Sequence, residues 1–211
     1  MGVDDVRVWL LRSPLPAAVL ARLARLLDAR ERARAAALDA VGRRRFVAAH
    51  GAARVLVGGR VGTPPEAVRW SYGPHGKPEV AGVRVSLSHS GDLAAVALTP
   101  VRAVGVDVQR YTPGLDTRAM AARYFPAEEA HLVTGAAVFA TLWARKEACV
   151  KATGGRLTQG LALPVAAGPV VAGAYHVVDV PVPAGFAGAV AVEGPEPIQL
   201  TTAWWDRSVT E

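Results

Sequence analysis

The sequence predicts an α+β fold. Three observations lead there: apolar residues at helical spacing through the N-terminal third, three β-branched runs in the middle, and a second helical stretch followed by further strand-like runs. Val6, Val8 and Leu10 alternate with Arg7 and Trp9, as a half-buried strand does. Pro14 and Pro16 lead into helical repeats over residues 17–38, which Gly42 breaks. Phe46, Val47, Ala53 and Val57 predict a further helix over 43–57, stopped by Gly58-Gly59. A strand over 68–72 meets Gly73-Pro74-His75-Gly76, a turn signal. Residues 83–87, 93–98 and 101–108 read as strands of one sheet. From Pro126, beside Glu128 and Glu129, a helical pattern runs with a break at Gly135 to about Thr153, where Gly154-Gly155 stops it. The tail holds strands over 177–182, 188–192 and 198–205, the first restricted to a sheet edge by Pro181. Residues 91–98 and 185–192 weakly echo one another, a hint of duplication that an alanine- and valine-rich chain also produces by chance.

The 211 residues, half of them apolar, suffice for one large domain or two small ones with a sizeable core. Cys149 is the single cysteine, and the N-terminus lacks a basic-then-apolar leader pattern, so a reducing cytoplasm is expected. The longest uncharged stretch, 157–178, is interrupted by Pro164 and Pro169 and is not read as a membrane span. Residues 22–54 carry nine arginines against Asp28, Glu31 and Asp39, a surplus equal to the whole chain's +6. Such a stretch suits an anionic cofactor, an acidic protein surface or nucleic acid, or is simply a solvated helix face. No zinc-ligand spacing or RNA-binding aromatic motif favours nucleic acid. Only three of the 24 basic residues are lysine: Lys77, Lys146 and Lys151. Where arginine is the default, a retained lysine suggests a need for a compact ammonium, although Lys146 reads equally well as a surface residue.

Asp107 and Gln109 lie two apart on a strand, hence on one face about 6.5 Å apart, a spacing that can share one hard cation. Glu147 and Lys151 lie four apart on a helix with Trp143 one turn earlier; alone, they would be an ordinary exposed ion pair. The combination is more specific. Gly105-Val106-Asp107-Val108-Gln109, then Trp143-Ala144-Arg145-Lys146-Glu147 with Lys151, resembles the 4′-phosphopantetheinyl transferase superfamily, whose pattern is Gly-(Val/Ile)-Asp-x-Glu followed by Trp-x-x-Lys-Glu-x-x-x-Lys. Gly76-Lys77-Pro78 and Ser86-Leu87-Ser88-His89-Ser90 extend the match over roughly residues 43–161, in the manner of the longer, surfactin-synthetase type.

That resemblance implies a pseudo-twofold pair of similar α+β halves, residues 1–102 and 103–211, each a small, mainly antiparallel sheet packed with helices. It implies transfer of phosphopantetheine from coenzyme A to a serine of an apo acyl or peptidyl carrier protein, an acidic one, by a monomer using Mg2+, with Mn2+ as an alternative. Asp107 and Glu147 would hold the metal, with Gln109 taking part directly or through water. Glu147 and Lys151 would serve the proton transfers and phosphate charge. Arg54, Lys77, Ser88, His89 and Lys151 would bind coenzyme A. The family's second acidic ligand is Gln109 here, which leaves a non-catalytic coenzyme A binder with a decayed metal site as the rival. His89 also reads as a structural hydrogen-bonder, Cys149 as a small packing residue, and Trp143 as packing the helix against the sheet.

Overall fold

The computed structural model describes residues 4–205. The N-terminal alternation forms β1 (Asp4–Arg12), with Val6, Val8 and Leu10 on one face and Trp9 and Leu11 on the other. The expected helix over 17–38 is two helices, α1 (Ala17–Leu26) and α2 (Ala29–Ala36). Asp28 divides them: its carboxylate accepts from the Glu31 amide (2.8 Å) while Glu31 reaches back to the Asp28 amide (3.1 Å), a reciprocal cap. Helix α3 spans Ala40–Val61 and is longer at both ends than expected. Asp39 accepts from the Gly42 amide (2.6 Å), so Gly42 lies inside the first turn instead of breaking the helix. Gly58 and Gly59 are also internal. The stop is Gly62, at φ 69°, where a residue without Cβ carries no steric penalty.

The strand expected over 68–72 shortens to β2 (Ser71–Tyr72) behind a 3-10 turn at Pro65–Ala67, and it pairs with β3 (Pro78–Glu79) across the expected turn. Next come β4 (Arg84–Ser90), β5 (Leu93–Thr99) and β6 (Val104–Arg110). Helices α4 (Thr117–Tyr124), α5 (Ala127–Ala130), α6 (Ala136–Thr153) and α7 (Leu157–Leu161) follow. Strands β7 (Val170–Val171), β8 (Tyr175–Asp179), β9 (Phe186–Glu193) and β10 (Ile198–Trp204) complete the described chain. The expected strand over 177–182 ends at Asp179, before Pro181. Helices α4 and α7 were not foreseen, because both are too short to display a helical period.

Two four-stranded sheets result, ordered β10-β1-β5-β4 and β6-β9-β8-β7. The three central runs therefore do not share a sheet: β4 and β6 are edge strands of different ones. Residue 102/103 falls between β5 and β6, which lie in different sheets, and β10 crosses back to lie parallel to β1 in the first sheet. The echoing segments are β5 and β9, each pairing antiparallel with the edge strand that faces the other sheet. The inner faces meet in an apolar layer, Val6, Val8, Leu10 and Leu93 with Val104, Val106, Val108, Val190 and Val192. Helices α1 and α3 cover the outside of the first sheet and α6 covers the outside of the second. Among the described residues no helix is long and apolar enough to cross a membrane.

Where β4 meets β6, side chains replace the backbone ladder. Ser86, Ser88 and Ser90 alternate on β4, and their hydroxyls accept from the amides of Val106 (3.0 Å), Val108 (3.3 Å) and Arg110 (3.0 Å). An edge strand's amides need partners when buried, and three hydroxyls at the strand period supply them.

Helix α6 rests directly on β6 because Gly105 has no side chain. A Cβ there would lie 1.9 Å from the Ala148 carbonyl oxygen and 2.3 Å from the Ala152 nitrogen, both helix backbone. Gly59, by contrast, faces open space. Gly105→Ala is expected to lower stability by about 3 kcal/mol, and Gly59→Ala to raise it by about 0.5–1 kcal/mol, both read from urea unfolding midpoints.

Candidate active site

Strand alternation sends Val106 and Val108 into the layer between the sheets and Asp107 toward α6. The contact at Gly105 brings that helix close enough for Lys151 Nζ to lie 2.6 Å from Asp107 Oδ1. Ser88 Oγ donates to the same oxygen at 2.7 Å and accepts from Lys151 at 3.2 Å. Asp107 is buried, and its Oδ2 has no partner among the described residues. Burial pushes the Asp107 carboxyl above its usual range, against the pull of the Lys151 ammonium and the Ser88 bond. Glu147, one turn before Lys151 on the same face, is half-buried and makes no hydrogen bond or ion pair among the described residues. Burial raises its pKa, the Asp107 charge adds to the rise, and Lys151 opposes it.

These groups line one side of a cleft of about 390 Å³, together with Gln109 and Trp143. The Gln109 Nε2 donates to the Arg110 carbonyl at 3.1 Å. Trp143 packs against the rings of Phe139 and Phe125 (centroids 5.6 and 6.4 Å away). Phe125 caps α4 and Phe139 lies on α6, and the buried cluster against which Trp143 packs also holds Val177 and Ala189 of the second sheet.

Across the cleft stand Arg30 and Arg34 of α2, Phe46 and His50 of α3, Tyr72 and His89. The Arg30 guanidinium lies 3.8 Å above the Tyr72 ring and that of Arg34 lies 5.7 Å from Phe46. Desolvation first, and then the proximity of His50, Lys151, Arg34 and Arg45, hold the His89 pKa below its usual value. Sequence reasoning named His89 and noted the basic stretch but did not single out Arg30, Arg34 or Tyr72. The signal was present: Arg30 and Arg34 are one helical turn apart and therefore face one way.

Asp107, Ser88, His89, Gln109, Glu147 and Lys151 thus converge, as the sequence motifs lead one to expect. Arg54 and Lys77 do not join them. Arg54 is fully buried and four of its five N–H donors are engaged, with Glu31 (2.6 Å), Asp28 (2.7 Å), and the carbonyls of Val68 (3.0 Å) and Pro65 (3.3 Å). It does not line the cleft; it pins α2 to α3. Lys77 Nζ donates to the carbonyls of Val104 (3.0 Å) and Ala152, tying the start of β6 to the end of α6, and burial lowers its pKa to about 8. It does not line that cleft but borders a smaller adjoining pocket with Lys151. Lys146 is no surface residue: fully buried, it pairs with Glu129 (2.5 Å) and bonds the Leu163 carbonyl. Cys149 is buried and its thiol is pushed up to about 12, first by burial, so it is inert at neutral pH.

The described residues hold no cluster of three histidine, cysteine or acidic ligands. The donors present are Asp107 Oδ2, orphaned and buried, the unpartnered Glu147 carboxylate and Gln109. This set does not suit zinc. It fits a hard cation that keeps several waters and takes remaining ligands from substrate phosphates.

Fold and site together define a two-sheet α+β protein whose inter-sheet cleft sets two carboxylates and a lysine against an arginine-lined wall. The family model for the 4′-phosphopantetheinyl transferase superfamily matches residues 103–168, the segment from β6 through α6 and α7. The chain is 34% identical over 164 residues to the 4′-phosphopantetheinyl transferase HetI of Nostoc sp., covering 72% of this chain and 69% of that protein. It is 36% identical over 118 residues to the 4′-phosphopantetheinyl transferase AcpT of Salmonella typhimurium, covering 51% and 59%. The chain belongs to the 4′-phosphopantetheinyl transferase superfamily.

The buried Arg54 network yields a stability prediction. Arg54→Met leaves Glu31 buried without its main partner and is expected to cost about 3–5 kcal/mol in urea unfolding. Burial opposes ionisation of Glu31, but hydrogen bonds from His50 and Arg54 outweigh it and hold its pKa below 4.5. Its stabilisation is therefore complete above pH 4.5 and is lost as pH falls through the lower folded value. Glu31→Gln should flatten that acid limb of the stability profile.

Proposed function

We propose that this chain transfers the 4′-phosphopantetheine group of coenzyme A to a serine of an apo acyl or peptidyl carrier protein, an acidic one, releasing 3′,5′-ADP. The observation that carries this reading is the convergence of the unpartnered Asp107 Oδ2, Glu147 and Lys151 on a cleft whose opposite wall is basic. We take the chain to be a surfactin-synthetase-type member acting as a monomer in the cytoplasm, its two sheets marking halves related by a pseudo-twofold axis. That both walls of the cleft come from one chain supports the monomer.

Asp107 through Oδ2, Glu147, and Gln109 directly or through water would hold Mg2+, or Mn2+ in its place. When bound, the ion supplies charge neutralisation on the pyrophosphate oxygens. Arg30, Arg34 and His89 are placed to receive the phosphates of coenzyme A, the arginines as fixed cations and His89 as a base that an arriving anion favours protonating. In the transfer, the carrier serine oxygen forms a bond to the β-phosphorus and the bond from that phosphorus to the bridging pyrophosphate oxygen breaks. Glu147, whose pKa is raised by burial, accepts the serine proton. The ammonium of Lys151 balances charge on the departing phosphate. Gln109 replaces a carboxylate by a neutral amide, which weakens the hold on a cation without removing the site.

Incubation with coenzyme A, Mg2+ and purified apo carrier proteins should add one phosphopantetheine per carrier domain by intact mass, and Glu147→Ala should slow the transfer by about 10²-fold or more. Absence of transfer to every carrier, with coenzyme A still bound, would favour a non-catalytic binder. Gln109→Glu should lower the Mg2+ concentration for half-maximal rate; an unchanged value would remove Gln109 from the metal shell.

A further inference from the structure

The three seam serines are equivalent as acceptors but not as donors. Each accepts from one β6 amide, of Val106, Val108 or Arg110. Only Ser88 lies within reach of the site. A serine hydroxyl has one proton and two lone pairs. The Val108 amide and the Lys151 ammonium can only donate, and an ionised Asp107 can only accept, so the direction of every bond at Ser88 is dictated. Its proton goes to Asp107 Oδ1 (2.7 Å), and its lone pairs take Val108 N–H (3.3 Å) and Lys151 Nζ (3.2 Å).

Two consequences follow from that saturation. A phosphate oxygen offers only acceptors, so Ser88 cannot bind one without withdrawing its proton from Asp107. Asp107 Oδ1, meanwhile, is held by two short bonds, from Ser88 and from Lys151 at 2.6 Å, which fixes the carboxyl plane and leaves Oδ2 as its free, buried oxygen.

We propose that Ser88 is a positioning residue for Asp107, locking its carboxylate so that Oδ2 faces the cation, and is not a ligand of coenzyme A. The assignment rests on the metal-holding role proposed above for Asp107. Partners that orient a metal ligand through a hydrogen bond change metal affinity by about 10- to 100-fold when removed. Ser86 and Ser90 provide internal controls, since they bridge the same seam without touching the site.

The test compares wild type with Ser86→Ala, Ser88→Ala, Ser90→Ala and Ser88→Thr in three measurements: thermal midpoint, Mn2+ affinity from the free-ion electron paramagnetic resonance signal, and coenzyme A affinity by calorimetry in excess chelator. All three alanine variants should lose thermal stability, because each strands a β6 amide. Ser88→Ala alone should weaken Mn2+ binding, by about 10-fold or more, while its metal-free coenzyme A affinity stays within about twofold of wild type; Ser88→Thr, which keeps the hydroxyl, should recover most of the Mn2+ affinity. Weakened metal-free coenzyme A binding with unchanged Mn2+ affinity in Ser88→Ala would overturn the proposal. So would an equal Mn2+ loss in Ser86→Ala and Ser90→Ala, which would trace the effect to a loosened seam. Failure of wild type itself to bind Mn2+ would strike the proposed metal role of Asp107, and the Ser88 assignment would fall with it.

Discussion

The contact of α6 with β6 at Gly105 is the constraint on which the rest of the site depends. Glu147 and Lys151 can face Asp107 only because the helix backbone lies where a side chain would otherwise stand. Lys77 reinforces the arrangement from outside by bonding the Val104 carbonyl at the start of β6 and the Ala152 carbonyl at the end of α6. A cation at a helix C-terminus also meets the negative end of the helix dipole, so the clamp is favourable there even though burial lowers its pKa.

Adhesion between the two sheets and their register have different physical sources. Each fully buried valine or leucine of the layer contributes about 1.5–3 kcal/mol, and that layer includes Val6, Val8, Leu10, Leu93, Val106, Val108 and Val190. A serine–amide bond contributes only about 1 kcal/mol net. The apolar layer therefore holds the sheets together. It is tolerant of sliding, since one valine packs on another about as well as on its neighbour. The three directional bonds from Ser86, Ser88 and Ser90 are what distinguish one register from the next, and through Ser88 that register reaches Asp107.

Basic residues in this chain divide by burial into two uses. Arg54 and Lys146 are fully buried, bonded to carboxylates and backbone carbonyls, and hold elements to one another. Arg30 and Arg34 are exposed at the cleft, stacked on Tyr72 and Phe46, with their charge available to an anion. Desolvation decides between the uses. A buried cation must be matched to fixed acceptors and is out of a ligand's reach, whereas a cation braced on a ring keeps its donors in solvent.

By itself, the sequence determined the α+β class, most of the strands, the helix carrying Glu147 and Lys151, and the grouping of Asp107 with both. Those are local properties: strand alternation, helical period and a motif whose spacing survives in one dimension. It misjudged features that depend on what lies opposite. Gly42, Gly58 and Gly59 read as breakers because glycine is poor in a helix, yet Asp39 caps across the first and neighbouring chain packs close on the second. The runs at β4, β5 and β6 looked like one sheet because strand propensity says nothing about partners. Arg54 looked like a phosphate ligand because a basic residue in a motif carries no mark of its burial. Only the tertiary structure decided that β10 returns to the first sheet, that serines bridge β4 and β6, and that Arg30, Arg34 and Tyr72 form the wall facing Asp107. Each is a relation between segments far apart in the chain, set by packing rather than by any residue's own preference.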